Sequence, residues 1–268
     1  MQDIIDKTPP PPSTPLLTEQ QLLRLVQQIC TALLALHEYH LPEVPALREG
    51  TAPTPRIARP HTYHGNEQRS LGYLQPPDAE DGDIDGYELS DRDSMASSSP
   101  DVTQMPYAHR DLNPRNIFIA DDGHTPILGD LGSVQRARIH IRTRGHALRE
   151  IDVAAEHTSM AYRPPELFDP KVGSRLDERI DIWSLGCVVY AIAYGPGSPF
   201  EQGSLQGGSI AMAVQNGRYA FPREERYGSG VRELVEMMLV IDPSKRPSVR
   251  DVMRKVEQEL IKCESRRM

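Results

Sequence analysis

The pattern of apolar and polar positions predicts a long amphipathic helix near the start of the chain. Thr18 and Gln21 have the spacing of a capping box, in which each residue satisfies a backbone N–H at the helix start. The apolar positions that follow recur at alternating steps of four and three residues: Leu22, Val26, Ile29, Leu33 and Leu36. We therefore expect a helix that begins after Thr18 and packs this face against a core.

The hydrophobic pattern stops near Tyr39. Residues 41–104 are rich in proline, serine, glycine and acids, as in PPDAEDGDIDGYELSDRDSMASSSPD, and show no sustained apolar period. We interpret them as a disordered acidic insert. Four of its serines could accept phosphate, although a solvated linker is the interpretation we favour: Ser94, Ser97, Ser98 and Ser99.

Ordered structure is expected to resume at about residue 105. The short runs NIFIA and TPIL flank an Asp122-Gly123 turn signal, which predicts a β-hairpin that brings Asn116 and Asp130 together. Further along, residues 182–194 suit a helix buried on most sides. Two amphipathic helices are expected at Val231, Leu234, Val235 and Met238, and at Val249, Val252, Met253, Val256 and Leu260. The predicted fold class is mainly α with a small β-hairpin element.

Composition adds limits to this description. The 24 prolines and a mean hydropathy of -0.50 indicate that part of the chain lies outside any compact core. A net charge of -8 gives no basic surplus, so we expect no nucleic-acid partner. Widely spaced cysteines, Cys30, Cys187 and Cys263, predict reduced thiols. The longest apolar stretch is too short to span a bilayer, and we expect a cytoplasmic protein.

Three polar residues around the hairpin have the spacing that phosphoryl transfer needs. That reaction requires a carboxylate to orient and deprotonate the attacking hydroxyl, and oxygen ligands for Mg²⁺. Asp111 would be the base, while Asn116 and Asp130 would be metal ligands. The histidines show no ligand spacing with cysteines or acids, so we assign no zinc site to His37, His40, His61 or His64.

The chain resembles protein kinases at several separate motifs. YAHRDLNPRN resembles the catalytic loop, GDLGS the magnesium loop, RPPE the Ala-Pro-Glu motif, and DERIDIWSLGCVVY the buried helix of the large lobe. This resemblance implies that Glu166 pairs with Arg246 and that Asp181 hydrogen-bonds the catalytic-loop backbone. The long segment IHIRTRGHALREIDVAAEHTSMAYRPPELF resembles the activation segment of the Numb-associated kinase family.

This resemblance implies a serine/threonine protein kinase that uses ATP and Mg²⁺ on a protein substrate. It assigns catalytic positions to Asp111, Asn113 and Arg110, and gives Phe118 a place under adenine. In the activation segment, Ser159 would touch Asp111, and Thr158 could be a phosphorylation site paired with Arg110. For Phe118, Thr158 and Ser159, ordinary packing or an exposed loop hydroxyl are equally good interpretations.

The resemblance also implies domain limits. The large lobe would comprise residues 18–40 and 105–262, preceded by a post-hinge remnant at 1–17 and followed by a tail at 263–268. No glycine-rich loop, phosphate-gripping lysine or partner glutamate of the small lobe is recognisable, so we expect that lobe to be absent and the chain to be truncated. Family members associate with Golgi or vacuolar membranes through N-terminal acylation, whose signal is absent because residue 2 is Gln.

Two departures from the family pattern bear on activity. Asn113 stands where serine/threonine kinases have a lysine that meets the γ-phosphate, and Leu131 replaces the phenylalanine of Asp-Phe-Gly. The first departure supports an alternative, a catalytically impaired binding module that offers an exposed apolar face around Phe118 and Leu131 to a partner. A third hypothesis, a small-molecule kinase of the aminoglycoside-phosphotransferase type, shares the base and metal arrangement but not the RPPE, Asp181 and Arg246 set.

Overall fold

The computed structural model describes residues 17–40, 104–195, 197–201, 208–223 and 226–266. The chain divides into two compact units, residues 1–41 with 103–268 and residues 42–102, and all described residues belong to the first. Apart from Gln104, the predicted acidic insert lies outside the described residues, and so does most of the predicted remnant at 1–17. The predictions for Ser94, Ser97, Ser98, Ser99, His61 and His64 therefore fall outside the described residues.

Helices dominate the described residues, as the sequence predicts. The α-helices are α1 (Glu19–His37), α2 (Arg144–His157), α3 (Arg179–Tyr194), α4 (Ile210–Gln215), α5 (Ser229–Met238) and α6 (Val249–Ser265). The strands are β1 (Tyr107–Ala108), β2 (Ile117–Ile119), β3 (Pro126–Leu128), β4 (Gln135–Arg136), β5 (Ile139–His140) and β6 (Arg175–Leu176). They form three antiparallel pairs, β1 with β4, β2 with β3, and β5 with β6.

Helix α3 forms the centre of the core. Every residue from Ile180 to Tyr194 is buried, which confirms the prediction of a helix covered on most sides. Trp183 stacks on Phe200 with ring centroids 5.4 Å apart. At Gly186 a Cβ atom would lie only 2.9 Å from Leu239 and Met238, so a glycine is needed for this close approach of α5. The helix is therefore a fixed platform for the loops around it.

Helix α1 begins as its sequence predicts. The Thr18 side chain accepts a hydrogen bond from the Gln21 N–H, and the Gln21 side chain accepts one from Thr18, which confirms the capping box. The predicted apolar face is fully buried at four of its five positions: Leu22, Val26, Ile29 and Leu33. This face packs against α6, α3 and β3.

The described residues on either side of the predicted insert lie close together at the C-terminal end of α1. His40 forms a β-bridge with Gln104, the Met105 N–H donates to the Tyr39 carbonyl at 2.8 Å, and the rings of Tyr39 and Tyr107 meet edge to face. These contacts place the end of α1 next to the start of β1.

The predicted hairpin is present as β2 and β3. Ile117 pairs with Leu128, and the turn between the strands contains Gly123 at φ 76°, in the left-handed region that favours glycine. The Gly129 N–H donates to the Asn116 carbonyl at 2.8 Å. Asp130 is the next residue after Gly129, so it lies one residue away from this contact with Asn116. The hairpin thus joins the two expected metal ligands.

Two helices of the structure are not foreseen in the sequence, α2 and the short α4. Residues 144–157, expected only as part of a long activation segment, form α2, which begins after the N-cap Thr143. Its buried residues, Ala147, Glu150 and Ala154, have helical spacing, but the intervening arginines and acids hide that period. Among the described residues, no helix combines the length and apolarity that a membrane crossing requires.

Candidate active site

The site is built around residues 109–116, which connect β1 to a 3-10 helix, Pro114–Asn116. Arg110 lies at φ 65°, a conformation that costs about 1–2 kcal/mol for a residue with a Cβ atom. Both backbone N–H groups at this bend donate to Asp181 of α3, that of His109 at 2.7 Å and that of Arg110 at 2.8 Å. Asp181 therefore holds the loop in its strained shape.

Asp181 is fully buried and receives a third hydrogen bond from His37 of α1, with Nε2 2.9 Å from Oδ2. The carboxylate can only accept, so the proton lies on Nε2 of His37. Burial raises the pKa of Asp181, but the hydrogen bond and charge of His37 and the N–H groups of Arg110 and His109 outweigh it, and the pKa is lowered. The residue is a stable buried anion because its donors are preformed.

Asp111 points both carboxylate oxygens at fixed donors. Oδ1 accepts the Ser159 backbone N–H at 2.8 Å, and Oδ2 accepts Nδ2 of Asn116 at 2.9 Å. The residue is only half-buried, so its oxygens remain accessible. Burial lowers the pKa of Arg163, and the negative charge of nearby Asp111 offsets part of this effect. Asp111 is thus oriented by two neighbours and stays open to a substrate hydroxyl.

Asn113 links the catalytic loop to the activation segment. Its Nδ2 donates to the Asp111 carbonyl at 3.1 Å and to the Ser159 hydroxyl at 3.2 Å, while its Oδ1 accepts the Arg115 N–H at 2.9 Å. The side chain is buried, and Oδ1 caps the 3-10 helix. Asn113 therefore supports the loop and Ser159 and supplies no positive charge to the site.

Asn116 and Asp130 have the donor atoms that a hard divalent cation prefers. The Asn116 side chain uses its nitrogen for both the carbonyl and the carboxylate of Asp111, and among the described residues its Oδ1 accepts no hydrogen bond. Asp130 is exposed at φ 53°, and its carboxylate receives one long hydrogen bond, from the Gly132 N–H at 3.4 Å. An amide oxygen and a free carboxylate fit Mg²⁺ that also binds phosphate oxygens.

Three large apolar side chains are exposed on the hairpin and the loop after it: Phe118 at 55%, Ile127 at 51% and Leu131 at 58%. The Phe118 ring lies close over Gly129, where a Cβ atom would meet it at 2.4 Å. The exposure of Phe118 and Leu131 agrees with the apolar face expected from the sequence. The Phe118 ring therefore lies at the end of the hairpin that carries Asn116 and Asp130.

Arg110 has a partner that the sequence did not suggest. Its Nη2 donates to Glu150 Oε2 of α2 at 2.7 Å, and its Nη1 donates to Gln135 Oε1 at 2.5 Å. Thr158 is buried, and its carbonyl accepts Nη2 of Arg163 at 2.7 Å. The structure thus corrects the hypothetical pairing of a phosphorylated Thr158 with Arg110, since the guanidinium is already bound and the threonine is enclosed.

Glu166 and Arg246 form the ion pair that the resemblance implies. Nη1 and Nη2 of Arg246 donate to the two carboxylate oxygens of Glu166 at 2.7 and 3.0 Å, and Nη1 also donates to the Arg179 carbonyl. The guanidinium lies over the Trp183 ring, 5.2 Å from its centroid. This bidentate pair fastens the segment after Ser159 to the start of α3.

Among the residues that the structure describes, the cysteines and the remaining metal-binding residue types form no second centre. Cys30, Cys187 and Cys263 are free and buried, and burial raises the pKa of Cys30 to about 12. Within the described part of the chain, no three or more His, Cys, Asp or Glu side chains are grouped to hold a metal ion.

Comparison with known proteins agrees with this geometry. Residues 104–256 match the family model described as the protein kinase domain. Human serine/threonine-protein kinase 16 is 44% identical over 143 residues, 53% of this chain and 46% of that protein. Serine/threonine-protein kinase ppk13 of Schizosaccharomyces pombe is 34% identical over 196 residues, 72% of this chain and 57% of that protein. Serine/threonine-protein kinase ENV7 of Saccharomyces cerevisiae is 37% identical over 158 residues, 58% of this chain and 43% of that protein. The chain spans about half the length of these relatives.

The lowered pKa of Asp181 predicts a pH-dependent contribution to stability. Asp181→Asn should lower the free energy of unfolding at pH 7 by about 3 kcal/mol, because an amide NH₂ would face a backbone donor. Since the folded-state pKa lies below the ordinary 3.8, the contribution of the carboxylate is complete above that value and is lost as the pH falls through the folded-state pKa.

Urea unfolding of both proteins between pH 7 and pH 3 measures this difference. The gap between wild type and Asp181→Asn should be constant near neutral pH and should shrink in acid. Asp152→Asn, on the exposed face of α2, is the control for loss of a carboxylate. If the difference in free energy of unfolding between the wild type and Asp181→Asn stayed unchanged down to pH 3, Asp181 would not have the lowered pKa.

Proposed function

Because this chain belongs to the protein kinase domain family, we propose that it transfers a phosphoryl group from Mg-ATP to a serine or threonine hydroxyl of a protein. The observation that carries the proposal is the convergence of Asp111, Asn116 and Asp130 at one end of the hairpin. The names of the relatives, all serine/threonine-protein kinases, support the same class of reaction.

Asp111 orients the attacking hydroxyl and accepts its proton. Its carboxylate is held by Ser159 and Asn116 without being enclosed, so a substrate hydroxyl can approach an oxygen whose direction is already fixed. Fixing the base before the substrate arrives avoids reorganisation during the reaction. Ser159 also brings the activation segment next to the base, where the substrate chain must lie.

Asn116 and Asp130 would hold the metal ion, Asn116 through its amide oxygen and Asp130 through its carboxylate. Mg-ATP supplies the transferable phosphoryl group and cationic charge opposite the phosphate oxygens. Asp130 is exposed, and its carboxylate accepts only one long hydrogen bond among the described residues, so it is available to the metal. Phe118 offers an apolar surface for the base of the nucleotide.

A non-catalytic binding module is the second candidate. Asn113 favours it, since an amide replaces the lysine charge expected opposite the transferring phosphate. The exposed apolar side chains of Phe118, Ile127 and Leu131 would then serve as a contact surface for a partner protein. The two candidates differ in whether the site binds Mg-ATP and whether phosphate is transferred.

Calorimetric titration of Mg-ATP into the chain tests the metal site. Asp130→Ala should weaken binding by at least about tenfold, because it removes a charged ligand of the metal. Asp121→Ala is a matched control, since Asp121 is an exposed carboxylate on the same hairpin. Equal affinities in the two variants would exclude Asp130 as the metal ligand.

Replacing Asn113 tests the effect of the missing charge. Asn113→Lys should raise the rate of Mg-dependent phosphoryl transfer by ~30- to 1000-fold, the equivalent of about 2 to 4 kcal/mol of transition-state stabilisation. Asn113→Gln, which lengthens the side chain without adding charge, is the control. A rate for Asn113→Lys no higher than that of the wild type would mean that this position does not act on the phosphate.

A further inference from the structure

The side chain of Arg110 is enclosed and has acceptors at both ends of its guanidinium. It is 2% exposed, with Gln135 Oε1 at 2.5 Å and Glu150 Oε2 at 2.7 Å. Gln135 belongs to β4, which pairs with β1 directly before the catalytic loop, while Glu150 belongs to α2. The arginine therefore joins the catalytic loop to two parts of the segment that follows Asp130.

Glu150 is the one carboxylate on α2 that faces inward. It shares the buried side of the helix with Ala147 and Ala154, whereas Asp152 and Glu156 are exposed. Nε2 of His146 lies 3.9 Å from its second oxygen, one helical turn away. Burial of a carboxylate is costly unless it is paired, so the position of α2 depends on the contact with Arg110.

The same contact fixes the activation segment at the site of chemistry. Helix α2 ends at His157 and leads through Thr158 to Ser159, whose N–H holds Oδ1 of Asp111. Arg110 is the residue before Asp111. The Arg110–Glu150 ion pair thus positions Asp111 in two ways. Arg110 is its neighbour in the chain, and Glu150 positions α2, which leads to the Ser159 N–H that binds Asp111.

We propose that Glu150 is a positioning residue that holds Arg110 as a phosphorylated residue otherwise would, so that the activation segment is ordered without being phosphorylated. The proposal rests on the proposed kinase function for its consequence, because phosphoryl transfer at Asp111 then needs no prior modification of this segment. A phosphate would offer Arg110 up to two negative charges and three acceptor oxygens. Glu150 and Gln135 together supply one negative charge and two acceptor oxygens in fixed positions.

Hydroxyl residues at the two ends of α2 are bonded or enclosed. Thr143 caps α2 through its side chain, Thr158 is enclosed, and the Ser159 hydroxyl accepts from Asn113. A phosphate added beside Arg110 would also meet the negative charge of Glu150. The pair therefore takes the place of a phosphorylation site at this position.

Hydrogen exchange of the phosphatase-treated chain, without nucleotide, tests the proposal independently of catalysis. Amides of residues 147–160 should be protected in the wild type. Glu150→Gln should speed their exchange by about tenfold to a hundredfold. Glu156→Gln, the same change on the exposed side of α2, should leave exchange unchanged, and circular dichroism should show that all variants remain folded.

Two further variants separate charge from simple packing. Glu150→Asp, which keeps the charge, should recover part of the protection, and inorganic phosphate should restore protection to Glu150→Ala where chloride at equal ionic strength does not. The proposal is overturned if Glu150→Gln is as protected as the wild type, or if Glu150→Asp and phosphate-treated Glu150→Ala are as unprotected as Glu150→Gln.

Phosphoryl transfer by the same samples separates this proposal from the proposed function. Transfer should survive phosphatase treatment of the wild type. Activity that appears only in phosphorylated protein would overturn the role of Glu150. Protection as expected, with no transfer in either state, would overturn the kinase function and leave the structural link between Arg110 and Glu150 in place.

Discussion

The buried carboxylate of Asp181 is the contact on which the candidate site depends. A fully buried anion is unfavourable unless its donors are in place before it is enclosed. Here the three donors come from two parts of the chain, the His37 ring of α1 and the adjacent residues His109 and Arg110. Two of these donors are consecutive backbone N–H groups at a bend where the chain takes a left-handed conformation. Helix α3, buried from Ile180 to Tyr194, gives the carboxylate a fixed position.

Everything that orients Asp111 follows from that fixed bend. The side chain of Arg110 is directed to Glu150 and Gln135, and the next residue presents its carboxylate to Ser159 and Asn116. The Glu166–Arg246 pair holds the end of the activation segment against the start of α3. The strain at Arg110 and the burial of several charges are therefore offset by contacts that converge on one loop, which is the arrangement expected where a side chain must be positioned before it reacts.

The sequence predicts the helices and the hairpin because their apolar positions have a clear period and their ends carry recognisable signals. The Thr18–Gln21 capping box, the buried α3 and the pairing of Ile117 with Leu128 are examples. Helix α2 was missed because its inward face is narrow, two alanines and a glutamate, among exposed charges. The role of Glu150 could not be inferred, since a glutamate in a polar helix usually faces water and only the fold brings Arg110 within 2.7 Å of it. Asn113 was recognised as a departure, but its contact with Ser159 depends on the folded activation segment.

The central claim is that Asp111 acts as the base in phosphoryl transfer to a protein hydroxyl. Transfer of label from the γ-phosphate of ATP to serine or threonine in a mixed protein substrate, measured for the wild type and for Asp111→Asn, tests it directly. We expect Mg-dependent incorporation by the wild type and a rate lower by about 10²- to 10⁴-fold in the variant, which keeps an oxygen for the Ser159 N–H but cannot accept the proton. Equal incorporation by the two proteins, or none above background with either, would contradict the claim.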